Sequence, residues 1–142
     1  MTSTTATDAP APGVRAGITL KNSPDLFPPV GHYSHIARHG GLAFVSGQLP
    51  IAPDGTPLTG KPFHVQAEQV LRNLDACLAT AGSSRDCLVS VTVYVADIEN
   101  WPEFDRLYAA WLGGHRPSRA IASTSALHYG SAVEVHAVAA VD

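Results

Sequence analysis

The sequence predicts an α+β subunit, one mixed sheet with two helices packed on one of its faces. Two observations carry this. Apolar residues recur at every second position in several short segments and at every third and fourth in two longer ones, in the order β-β-β-α-β-α-β-β. The 142 residues, 45% hydrophobic and 15% charged, show no internal repeat and no composition break after the first dozen positions. A chain of this size buries about two-thirds of its unfolded surface, and two helices against one sheet is a two-layer solution that closes one core.

The elements follow in chain order. Residues 1–14 are rich in Thr, Ala and Pro, with no Lys or Arg and no apolar run. They read as a disordered tail ahead of a single domain at 15–142. With neither half of a secretory signal present, a cytoplasmic address is expected. Residues 17–20 form a short strand, 22–30 a loop holding Pro24, Pro28 and Pro29, and 32–38 a second strand. Residues 42–49 form a third, closed by the turn residues Pro50, Pro53, Asp54 and Gly55.

Over 63–81 the period changes. Ala67, Val70, Leu71, Leu74, Cys77, Leu78 and Ala81 mark an amphipathic helix, and Gly82 stands where a left-handed residue stops one. Residues 88–95 alternate, with Val89, Val91, Val93 and Val95 on one face and Ser90, Thr92 and Tyr94 on the other. Asn100, Pro102 and Glu103 resemble a capping box. Phe104, Leu107, Tyr108, Trp111 and Leu112 then form a second helical stripe, ended by Gly113 and Gly114. Strands at 119–126 and 132–141, separated by His128, Tyr129 and Gly130, complete the sheet. The face with Ser90, Thr92, Tyr94 and Glu134 is too apolar elsewhere to stand bare, so subunits are expected to pack there.

Composition removes several function classes. The net charge is −3, the pI about 6.1, and no Lys/Arg cluster appears, so nucleic acid is not the expected partner. No apolar run approaches the ~20 residues of a membrane span. Cys77 and Cys87 read as buried small apolar residues. There is no glycine-rich nucleotide loop, HExxH or CxxC, and no Gly-x-Ser-x-Gly elbow. No cofactor is expected. On a strand, alternation sends His32 to one face and His35 and His39 to the other, so no metal site is expected.

Two charged residues stand out. Arg119, in RPSRAIAS, opens an apolar strand, either with its head in water or as an anion clamp. Glu134 lies between Val133 and Val135, on one face with His136. Burying a carboxylate unpaired is costly, so it serves in an ion pair or in proton transfer. Tyr33 in VGHYSH and the segment SGQLP, with Ser46 and Gly47, complete the set; a glycine there lets a ligand approach the backbone.

Taken in order, VGHYSHIARHGGLAFVSGQLPIAPDG, QAEQVLRNLDACLATAGSS, VSVTVYVADI and RPSRAIASTSALHYGSAVEVHAVAAV resemble the RidA/YjgF family of imine/enamine deaminases over about residues 31–141. The resemblance implies a chorismate-mutase-like subunit, a homotrimer and ligand clefts between neighbouring subunits. It implies that Arg119 grips a substrate carboxylate, that Glu134 activates water, and that Tyr33, Ser46 and Gly47 line the cleft. The chain departs from the family's common pattern at His32, Asp105, Ile121, His128 and His136. Of these, Asp105, Ile121 and His128 are expected to touch the ligand.

The expected activity is cofactor-free, metal-free hydrolysis of 2-imino or 2-enamino acids to 2-keto acids and ammonia. The alternatives are a tautomerase or hydrolase acting on a pathway-specific intermediate in the same cleft, and a non-enzymatic trimer that binds small carboxylates.

Overall fold

The computed structural model describes residues 15–142; the expected disordered tail lies outside them. Six strands form one sheet: β1 (Thr19–Lys21), β2 (Ile36–His39), β3 (Leu42–Gln48), β4 (Leu88–Val95), β5 (Ser118–Ser123) and β6 (Val133–Ala140). Their spatial order is β1-β2-β3-β6-β4-β5. All neighbours run antiparallel except β4 and β5. That parallel pair requires a crossover, which helix α2 (Trp101–Leu112) supplies. Helix α1 (Phe63–Thr80) joins β3 to β4 and packs beside α2 on the same sheet face.

The core lies between that face and the two helices. Leu74, Leu78 and Val70 of α1 and Phe104 of α2 are fully buried with Val91, Val93, Val95, Val133 and Val135. Among the described residues, no helix is long and apolar enough to cross a membrane. Helix α1 ends as its sequence requires. Gly82 takes φ +79, the Gly82 amide donates to Ala79 O, and the Ser83 amide donates to Leu78 O at 2.8 Å. This is a Schellman closure.

Four sequence expectations change. The second strand begins at Ile36 rather than at residue 32, because the His35 ring is held by another segment: the Ser23 amide donates to its Nδ1 at 3.0 Å. Alternation therefore does not govern His32 and His35. Val89 is exposed, because the β4–β6 register skips it between Leu88 and Ser90. This bulge puts Leu88 in the core. Asn100 is not a side-chain cap; Asp97 caps a preceding 3-10 turn by accepting from the Glu99 amide, and that turn runs straight into α2. Cys77 is buried as expected, its thiol pushed up to about 12 by desolvation, but Cys87 is exposed at the end of a 3-10 turn, Arg85–Cys87.

Among the described residues, no layer covers the other sheet face. Leu20, Leu42 and Phe44 are exposed, and Ser90, Thr92, Tyr94, His136 and Val138 are half-buried. The Tyr94 and His136 rings stack across β4 and β6 with centroids 6.0 Å apart.

Candidate functional site

Glu134 projects from β6 onto the open face: its neighbours Val133 and Val135 are buried under the helices, and its cross-strand partner is Tyr94. It reaches a groove of about 460 Å³ whose walls include Tyr33, Ser46, Gly47, His128 and Tyr129. The groove exists because β3 bulges there. Val45 pairs with Ala137 and Gln48 with Val135, so Ser46 and Gly47 fall outside the regular ladder. Ser46 anchors the bulge: its hydroxyl donates to Ser34 O at 2.7 Å and its amide to His35 O at 3.0 Å.

Gly47 leaves room here for a reason the sequence does not show. A Cβ at this position would lie 2.1 Å from Oε2 of Glu134. The space a ligand was expected to use is occupied by the Glu134 carboxylate, which lies across the glycine backbone. Desolvation holds the Glu134 carboxyl above the ordinary glutamate value, and the positive potentials of His128 and His136 offset part of that rise.

Tyr129 also lines this groove, and sequence reasoning passed over it as a spacer. It is one of the two non-glycine residues with positive φ among the described residues, at φ 62. Its carbonyl accepts a hydrogen bond from Thr59 Oγ1. A tyrosine in the left-handed region is uncommon, and such residues gather where a loop is held for a purpose.

Arg119 lies elsewhere. It pairs in register with Val91 on β4, and Val91 faces the helices in the buried core. Its guanidinium sits 5.1 Å above the Tyr108 ring of α2, and its Nη1 donates to Oδ1 of Asp105 at 2.6 Å. Asp105 and Tyr108 are three residues apart and so share one helix face. A second groove of about 460 Å³ is lined by Arg119, Asp105, Tyr108, His115 and Arg116. Tyr108 Oη is the single buried side-chain polar atom without a partner among the described residues.

The candidate residues thus divide into two half-sites on opposite faces of one sheet. Glu134, Tyr33, Ser46, Gly47 and His128 stand together on the open face. Arg119 and Asp105 stand together on the helix side, at the edge strand β5. Ile121, two residues on from Arg119, pairs with Val93 and packs against the core without lining either groove. His136 stays on the open face against Tyr94, and His32 lines a depression of about 700 Å³ with Phe44 and Ser46. No group of three His, Cys, Asp or Glu side chains converges among the described residues.

The endoribonuclease L-PSP family model matches residues 24–141. The chain belongs to this family, the Rid proteins. The yeast (Saccharomyces cerevisiae) protein HMF1 is 37% identical over 108 residues, covering 76% of this chain and 83% of that protein. The mitochondrial protein MMF1 of the same yeast is 36% identical over 132 residues, covering 91% and 90%. The crystal structure of RidA from the Antarctic bacterium Psychrobacter superposes with a TM-score of 0.82 at 28% identity, covering 87% of this chain and 99% of that one. The mixed sheet with two helices on one face is shared with that RidA structure and is the chorismate-mutase-like arrangement that the resemblance implies.

Proposed function

We propose that this Rid protein hydrolyses 2-imino acids to 2-keto acids and ammonium, in clefts assembled from two subunits of a homotrimer. The observation that carries the reading is the division of the site. A carboxylate clamp and a proton-transfer carboxylate on opposite faces of one sheet serve one substrate only when one subunit's Arg119 meets a neighbour's Glu134. Among the described residues nothing covers the open apolar face or the outer edge of β5, which gives a neighbouring copy surfaces to cover. The family supports the choice of substrate class.

The chemistry follows from the side chains. Arg119 offers a planar set of donors to the substrate carboxylate, held in plane by the Tyr108 ring beneath it. Water adds to the imine carbon, and Glu134 accepts a proton from it as the C–O bond forms. The resulting carbinolamine takes that proton on nitrogen; as the C–N bond breaks, the hydroxyl gives its proton to Glu134, the keto acid remains, and the departing ammonia carries that proton away as ammonium. The net change is R–C(=NH2⁺)–COO⁻ plus H2O giving R–CO–COO⁻ plus NH4⁺. A carboxyl held above its ordinary value by burial suits this return of a proton. Tyr33 and Tyr129 line the same groove.

The test is keto-acid and ammonia release from amino-acid-oxidase products. Arg119→Lys keeps the charge and loses the fork, so it is expected to lose most of kcat/KM, on the order of a hundredfold, with the assembly intact. Near wild-type turnover in that variant removes Arg119 as the clamp. Binding of 2-keto acids without any imine turnover makes the protein a carboxylate-binding module.

A further inference from the structure

The clamp is not a bare cation. Asp105 already holds Nη1 of Arg119 at 2.6 Å, and its side chain is half-exposed in the same groove. The pair is open to a ligand and close to neutral in sum. A guanidinium carries five N–H donors, so Arg119 keeps donors for a second carboxylate. That carboxylate must arrive beside the first, and two like charges a few ångströms apart repel strongly in a partly desolvated groove.

A simple 2-oxo acid brings only the anion and meets this repulsion in full. A 2-imino acid protonated on nitrogen brings a cation one carbon away from its carboxylate. With the carboxylate on the free edge of Arg119, that nitrogen comes to the Asp105 side, where its N–H groups find an acceptor. Arg116, His115 and Tyr108 are the other charged or titratable groups on the groove wall. His115 Nε2 is engaged with Leu88 O at 2.8 Å, and Arg116 adds a positive charge that attracts the carboxylate both ligands share.

We infer that Asp105, through its contact with Arg119, makes this half-site selective for zwitterionic 2-imino and 2-amino acids over the 2-oxo acid anions of the same carbon skeleton. This rests on the deaminase reading and extends it. The substrate enters neutral overall, and hydrolysis converts it into a monoanion and a separate ammonium ion. The residue that admits the substrate then disfavours the product, and the keto acid leaves. Specificity here comes from a repulsive element built against the competitor.

The experiment compares L-2-aminobutyrate with 2-oxobutanoate on the wild type and on Asp105→Asn, by calorimetric titration. Asparagine keeps the shape and an oxygen that accepts from Arg119 while removing the charge. The variant is expected to tighten 2-oxobutanoate by roughly tenfold or more relative to L-2-aminobutyrate, and 2-oxobutanoate becomes a correspondingly stronger product inhibitor. Circular dichroism and mass check the fold. An affinity ratio that stays the same in the variant overturns the inference, as does failure of both ligands to bind the wild type. If the ratio moves while no imine is turned over, the selectivity stands and the deaminase reading falls. If imines are turned over and the ratio stays put, the deaminase reading stands and Asp105 is a structural partner of Arg119.

Discussion

In the proposed reaction, a glutamate lying across a glycine is the smallest unit that activity would require. The Glu134 carboxyl is raised by desolvation above the ordinary value of 4.5. Between that value and its folded value the native state binds more protons than the unfolded state, so stability falls as pH rises through this window. Glu134→Gln removes the penalty. The variant is expected to melt higher than wild type at pH 7, with the gap closing below pH 4.5, while deamination falls by roughly a hundredfold or more. Thermal melts across pH and keto-acid assays check both; equal melting temperatures with unchanged turnover reduce Glu134 to a packing residue. Gly47→Ala acts on the same carboxylate from the backbone side. The added Cβ would meet Oε2 at 2.1 Å, the far end of a flexible side chain, and Gly47 is not among the positive-φ glycines. The fold is expected to survive and the carboxylate to move, with kcat falling by about tenfold or more. A Gly47→Ala protein with wild-type kcat shows that the position of Glu134 over the glycine is not needed.

At the scale of elements, period and punctuation made most of the fold legible. Strand β4 was readable at both ends because its valines alternate, and α1 because Gly82 closes it. Hidden from the sequence were places where a side chain answers to a distant segment. Val89 extends the run of alternate valines, yet a bulge against β6 turns it out. The expected start of β2 failed because His35 belongs to the loop. Its Nδ1 accepts from the Ser23 amide, and its own amide donates to Asn22 at 2.9 Å. Desolvation holds His35 below its ordinary 6.5. Between 6.5 and the folded value the unfolded state binds more protons, so stability is full above 6.5 and is lost as pH falls through that window. A protonated ring has no lone pair for the Ser23 amide. The protection factor of that amide is therefore expected to drop below pH 6.5 while those of β4 and β6 hold. Hydrogen exchange followed by NMR checks this, and a Ser23 protection factor independent of pH contradicts it.

For the molecule as a whole, the candidate site residues were legible by type and the division between them was not. Arg119 and Glu134 announce themselves as charges in apolar strands. Their separation depends on sheet order and register, which place one beside Val91 and the other beside Tyr94. Neither the Asp105 partner of Arg119 nor the left-handed Tyr129 leaves a local signature, because the first pairing crosses from helix to edge strand and the second is set by the loop's closure. The central claim is that one cleft takes Arg119 from one subunit and Glu134 from the next, in a particle of about three times 14.9 kDa. Mixed assembly tests it most directly. Arg119→Ala and Glu134→Gln proteins, each inactive alone, are unfolded together in equal amounts, refolded and confirmed by native mass spectrometry as mixed trimers. Random mixing then leaves about one cleft in four with both residues intact, and the account predicts recovery of about a quarter of wild-type deaminase activity. Mixed trimers that stay as inactive as either parent, beside a wild-type control that regains activity after the same treatment, would contradict it.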